Sequence, residues 1–133
     1  MTWSTKRLVE FQHCDPAGIV FYPRYFEMIN SVIEEFFRDH VRHSFGQMHL
    51  ADQRGVPTAK IAATFHAPSR LEDKLIFKLT VTRLGTTSVD FSILASCGDQ
   101  ERMSVQSTIV QIDTNTGKST AWADETLLKL AVG

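Results

Sequence analysis

The feature that most constrains this chain is a change of hydrophobic period near residue 57. Between residues 22 and 40, Tyr22, Tyr25, Phe26, Ile29, Val32, Ile33, Phe36 and Phe37 recur at helical spacing. Arg24, Glu27, Ser31, Glu34, Glu35 and Arg38 fall on the opposite side. Pro23 suits a first helical turn, where its missing N–H leaves nothing unpaired. Beyond residue 57 the period drops to two. Residues 59–66 alternate around Ile61, Ala63 and Phe65, and residues 74–84 around Leu75, Phe77, Leu79 and Val81. Residues 87–97 alternate around Val89, Phe91, Ile93 and Ala95, and residues 101–113 around Met103, Val105 and Ile109. Gly85, Gly98-Asp99 and Asn115-Thr116-Gly117 punctuate these segments as hairpin turns. The last three strands are therefore expected to form an antiparallel meander.

Residues 6–13 read as one more strand before the helix, with Val9, Phe11 and His13 on one face. Residues 41–57 show no clear period and leave room for a short helix before Gly55. The order strand, long helix, four strands predicts an α+β domain: an antiparallel sheet of about five strands wrapped around one long helix. A length of 133 residues suits a single domain spanning 1–133. One helix cannot cover both faces of such a sheet, so the bare face and strand edges predict a homo-oligomer.

Composition narrows the function. Hydrophobic residues make up 43% and charged residues 22%, enough apolar surface for a packed core. The formal net charge of -1 gives no basic face, which argues against a nucleic-acid binder. No apolar run is long enough to span a bilayer, no signal-peptide pattern follows Met1, and the default expectation is a cytoplasmic protein. Cys14 and Cys97 do not make a disulfide framework and read as free thiols. His40, His43 and His49 lack the further ligands of a metal site, so no metal is expected.

The segment from His13 to Pro23 (HCDPAGIVFYP) joins the first strand to the helix and carries the chemistry. It sets a carboxylate, Asp15, in a turn beside a helix start, where backbone N–H groups have no intrahelical acceptor. Such N–H groups stabilise an oxyanion, and a carboxylate close to an oxyanion site can perform acyl transfer. On residue types alone, Asp15 reads more readily as a turn or cap residue than as a catalytic one. His13 reads as a structural histidine or a group near the site, and Cys14 lacks a partner to activate it.

The run Asp15-Pro16-Ala17-Gly18-Ile19-Val20-Phe21-Tyr22-Pro23, with Tyr25 and the aromatic helix behind it, resembles the 4-hydroxybenzoyl-CoA thioesterase family of hotdog-fold proteins. Phe65, Pro68 and Asp73 fit the looser part of that pattern. The resemblance implies hydrolysis of an acyl-CoA, aromatic or short to medium aliphatic, to a free acid and CoA, with no cofactor beyond the CoA of the substrate. It implies Asp15 as nucleophile or general base and the Tyr22 backbone amide as the group that polarises the thioester carbonyl. Gly18 then lets the loop approach substrate. His13, Thr64, Phe65 and His66 are expected to contact substrate at a subunit interface, in a dimer of dimers. Aromatic-substrate members carry basic residues near the turn after the third strand; here that turn, Arg83-Leu84-Gly85-Thr86-Thr87-Ser88, has only Arg83. The acyl group, and CoA against an acyl carrier protein, stay open. Two other readings remain at this stage: a non-catalytic acyl-CoA or carrier-protein binding module, and an acyl-thioester hydratase.

Overall fold

A computed structural model describes residues 2–131. The first strand, β1 (Thr2–Leu8), starts earlier and ends sooner than its sequence pattern predicts. Its helix-facing positions are Trp3, Thr5 and Arg7, so only one of the three is apolar and the alternation is hidden. Val9 is buried, but Phe11–His13 form a 3-10 turn rather than the end of a strand. Helix α1 (Tyr22–Phe36) follows, and its last turn widens into a π-type turn over Phe37–Val41. Arg42 stops it with a left-handed backbone, φ 65°.

A short helix, α2 (Phe45–Leu50), does fill the irregular stretch, capped by the Ser44 hydroxyl accepting from the Gln47 amide. Then come β2 (Arg54–Gly55), β3 (Thr58–Phe65), β4 (Lys74–Leu84), β5 (Ser88–Cys97), β6 (Gln100–Val110) and β7 (Ile112–Asp113). Two strands were read as one at residues 101–113; β7 leaves the main sheet and pairs with β2. A C-terminal helix, α3 (Asp124–Ala131), was not anticipated. Its signal was present in Asp124-Glu125 at the start and in Leu127 and Leu130 three residues apart.

The main sheet has five strands in the order β1-β4-β5-β6-β3, every neighbouring pair antiparallel. The expected meander is β4-β5-β6. Its inner face, Leu75, Phe77, Leu79, Phe91, Ile93, Met103 and Val105, packs with no more than trace exposure. Helix α1 contributes Tyr25, Met28, Ile29, Val32, Ile33 and Phe36 to that core. Each such aliphatic or aromatic side chain stabilises by roughly 1.5–3 kcal/mol on burial. Tyr22 and Phe26, assigned to the same stripe by spacing, do not share that burial: Tyr22 is exposed and Phe26 only half-buried. They lie in the first turns of the helix, beside Phe65 of the open edge of the sheet. Strand β3 is an edge strand, and Ile61 and Phe65 on its helix-facing side stay exposed.

Candidate active site at the start of the long helix

The loop from His13 to Phe21 folds back on itself through backbone bonds. Asp15 N–H donates to Ile19 O at 3.0 Å, Gly18 N–H to Asp15 O at 2.9 Å, and Phe21 N–H to His13 O at 2.9 Å. Gly18 sits at φ 81°, a left-handed conformation that a side chain disfavours. A Cβ at that position would meet only open space, so the backbone angle is what calls for glycine there. The returning limb then docks on the loop after β3: Val20 N–H donates to Ser69 O at 2.8 Å, and Ile19 bridges Arg70.

That second loop is held by one guanidinium that sequence reasoning passed over. Arg102 Nη1, from β6, donates to Pro68 O at 3.0 Å, Ser69 Oγ at 3.2 Å and Asp73 Oδ2 at 2.7 Å. The same Asp73 oxygen accepts the Arg70 N–H at 2.9 Å. The Arg70 amide and then the Arg102 guanidinium hold the Asp73 carboxyl below the usual aspartate range. The only sequence signal was Asp73 itself, six residues after Ala67, since nothing local announces that β6 will deliver Arg102 to it.

Between these loops and the first turn of α1 lies a mostly apolar cavity of about 340 Å³. It brings together three of the sequence-predicted residues, Tyr22, Phe65 and His66, with Ile19, Val20, Tyr25, Ala67 and Pro68. Phe65 packs edge-on to Tyr22 with ring centroids 6.5 Å apart, and lies tilted on Tyr25 at 5.6 Å. His66 Nε2 is 2.9 Å from Ser104 Oγ. Pro23 has no N–H and the Arg24 amide donates to Phe21 O at 2.8 Å, so the Tyr22 N–H is left without a protein acceptor among the described residues.

Asp15 and Gly18 ride on the loop that supplies Ile19 and Val20, without lining the cavity themselves. Asp15 Oδ1 accepts the Ala17 amide at 2.9 Å, the turn geometry that residue type alone allows; Oδ2 has no partner among the described residues. His13 does not join them. Its Nδ1 accepts the Glu10 amide at 2.8 Å, and its ring lines a larger polar groove of about 600 Å³ beside β1. The groove's arginines are already paired, Arg7 with Glu35 at 3.0 Å and Arg24 with Glu27 at 2.8 Å. Its charged walls suit an acyl group less well than the smaller apolar cavity does. Thr64 is exposed on the outer face of β3, opposite Ser104. Among the described residues no group of three His, Cys, Asp or Glu side chains is placed to hold a metal, and no helix is long and apolar enough to cross a membrane.

A single long helix wrapped by a five-stranded antiparallel sheet is the hotdog fold, here with an apolar cavity at the helix start. The model of the thioesterase-like superfamily matches residues 9–130, and the chain belongs to that superfamily. A sequence search of curated proteins finds no match. Among solved structures, the fold is shared with a 1,4-dihydroxy-2-naphthoyl-CoA thioesterase from Synechocystis, at 19% identity and TM-score 0.89 over 98% of this chain and 96% of that one. A gentisyl-coenzyme A thioesterase is also 19% identical, with TM-score 0.84 over 96% of this chain and 99% of that one. A Staphylococcus aureus protein solved in complex with CoA is 14% identical, with TM-score 0.89 over 99% of this chain and 83% of that one.

Proposed function

We propose that the protein hydrolyses an acyl-CoA to a free acid and CoA, with Asp15 supplying the carboxylate and the Tyr22 N–H holding the oxyanion. The observation that carries this reading is the unpaired Tyr22 amide at the start of α1, at the mouth of the apolar cavity. Asp15 stands on the loop that leads into that amide, and Oδ2 is uncommitted. Attack of Asp15 on the thioester carbonyl forms a tetrahedral oxyanion that the Tyr22 N–H stabilises. Collapse expels the CoA thiolate and leaves a mixed anhydride. Water then cleaves the anhydride, returning the carboxylate and delivering one proton to the thiolate. With Asp15 as general base, the same water attacks directly and the balance is unchanged: thioester plus water gives acid plus thiol.

The exposed edge of β3 supports a dimer in this reading. Its outward backbone groups have no strand beside them, and Ile61 and Phe65 on it are 41% and 47% exposed, Phe65 in the cavity wall. A second copy pairing along β3 covers both and adds its own β3 residues to the site. Pairing of two such dimers is the further expectation. Arg83 is exposed and is the one basic residue in the turn of residues 83–88, so that turn offers a single positive charge to CoA phosphates. An acyl carrier protein is the competing donor.

The test is thiol release from short, medium and long aliphatic, benzoyl, hydroxybenzoyl and phenylacetyl-CoA, and from matching acyl carrier proteins. Asp15→Asn is expected to lower the rate by at least about a hundredfold with folding unchanged. Tyr22→Pro deletes the N–H at a position where a helix tolerates proline, and should cost about a hundredfold or more; Tyr22→Phe should cost little. Full activity in a well-folded Asp15→Asn protein sinks the assignment. Loss of enoyl absorbance without thiol release points to hydration instead.

A further inference from the structure

Three buried side-chain polar atoms lack a hydrogen-bond partner among the described residues: Tyr25 Oη, Arg102 Nε and Ser107 Oγ. Only Tyr25 belongs to a residue that lines the apolar cavity at the helix start. Its side chain is among the buried ones, at 4% exposure. A hydroxyl taken out of water without a partner is a net loss, because its bonds to water are not replaced. A phenylalanine of the same shape would avoid that loss. The rest of the lining makes the orphan conspicuous. Ile19, Val20, Phe65, Ala67 and Pro68 bring no side-chain polar atom, and the His66 ring is already bonded to Ser104. Tyr22 reaches the rim, where solvent satisfies it.

We infer that the Tyr25 hydroxyl is a specificity-determining group that donates a hydrogen bond to an oxygen substituent on the acyl group. The substrates it selects are acyl thioesters with a hydroxyl or carbonyl beyond the thioester carbon. Cavities that discriminate are mostly apolar with a few placed polar atoms, and here one buried atom is uncommitted. An unsubstituted acyl group leaves the hydroxyl orphaned in the complex, as it is without ligand. An oxygenated group satisfies it, so the two are separated by the worth of one buried hydrogen bond. The approach runs past Phe65, whose ring lies against Tyr25 and is half-exposed at the edge strand. The hydroxyl has essentially no accessible surface in the unliganded chain, so its bond to a ligand requires a shift of neighbouring side chains such as Phe65.

This inference rests on the thioesterase reading and extends it to the acyl group. It is tested with matched pairs that differ by one oxygen: benzoyl-CoA against its 2-, 3- and 4-hydroxy forms, and butanoyl- and hexanoyl-CoA against their 3-hydroxy forms. Wild type should favour at least one oxygenated member by about tenfold in kcat/KM. Tyr25→Phe should erase that preference, lowering kcat/KM about tenfold more on the oxygenated member than on its unsubstituted partner, and should not lower the melting temperature. Non-hydrolysable thioether analogues of the same pairs, titrated by calorimetry, should show the same preference and the same loss. Equal affinity of wild type for both members of every pair overturns the inference, as does a Tyr25→Phe effect that is the same on both members. Absence of thiol release from all substrates, with the analogue preference intact, refutes the hydrolase reading and leaves the role of Tyr25 standing.

Discussion

The two ends of helix α1 are built on opposite principles. At its C-terminal end, Phe36 and Phe37 are fully buried. Phe36 packs against Trp3, Phe91 and His40, and Phe37 against Phe45 and Trp122, at centroid distances of 5.1–6.3 Å. Met48 from α2 and Leu130 from α3 complete the seal. At the N-terminal end, Tyr22 is 60% exposed and Phe65 faces it from an open strand edge. What orders that end is polar: the folded-back loop, the Val20–Ser69 bond and the Arg102–Asp73 clamp. Apolar burial holds the scaffold at one end. At the other, oriented backbone and charge hold a surface that stays uncovered, and an uncovered apolar surface is where a ligand or a second copy gains most.

The largest expected effect is at the sealed end. Phe37→Ala should cost about 3–5 kcal/mol in denaturant unfolding, since the cavity it leaves is walled by several elements. A cost under about 1 kcal/mol would mean that the sealed end is not the stabilising one.

The clamp comes next. Asp73→Asn should cost about 1–3 kcal/mol at neutral pH, by weakening the bonds to the Arg102 guanidinium and the Arg70 amide. The Asp73 carboxyl is held below its ordinary value in the folded protein. Its stabilisation is therefore complete above about pH 4, where the unfolded group ionises, and is lost as pH falls through the lower folded value. Unfolding measured at pH 3 and pH 6 should show a smaller drop in Asp73→Asn than in wild type. An identical drop would remove electrostatics from the account of the open end.

The smallest effect sharpens the contrast. Tyr22→Ala should change stability by less than about 1 kcal/mol, because its side chain is mostly exposed and its ring meets Phe21 and Phe65 edge-on at the surface. A loss as large as that of Phe37→Ala would erase the difference between the two ends.

The helix and the β4-β5-β6 meander were legible because period and burial largely coincide in them: the buried positions carry apolar residues, Ser107 on β6 excepted. The turn from Asp15 to Gly18 was legible because its residue types have strong backbone preferences, and Gly18 does adopt a positive φ. Strand β1 was misread at its start because Thr5 and Arg7 take inward positions, with Arg7 bonded to Glu35 and Ser31 of α1. Helix α3 escaped notice because eight residues give barely two turns of pattern. Within one chain His13 and Thr64 lie away from the cavity, since a 3-10 turn rotates the first into the groove beside β1 and strand alternation sends the second to the outer face.

By itself, the sequence determined the alternation of elements, the core that follows from it and the acid-bearing turn at a helix start, since all three are encoded in residues a few positions apart. Tertiary structure alone decided that β3 lies at the edge next to β6, that Arg102 reaches Asp73 across 29 residues, and that the Tyr25 hydroxyl is buried without a partner in the cavity wall. Contacts between distant segments depend on how strands are ordered in the sheet, and local periodicity carries no information about that order.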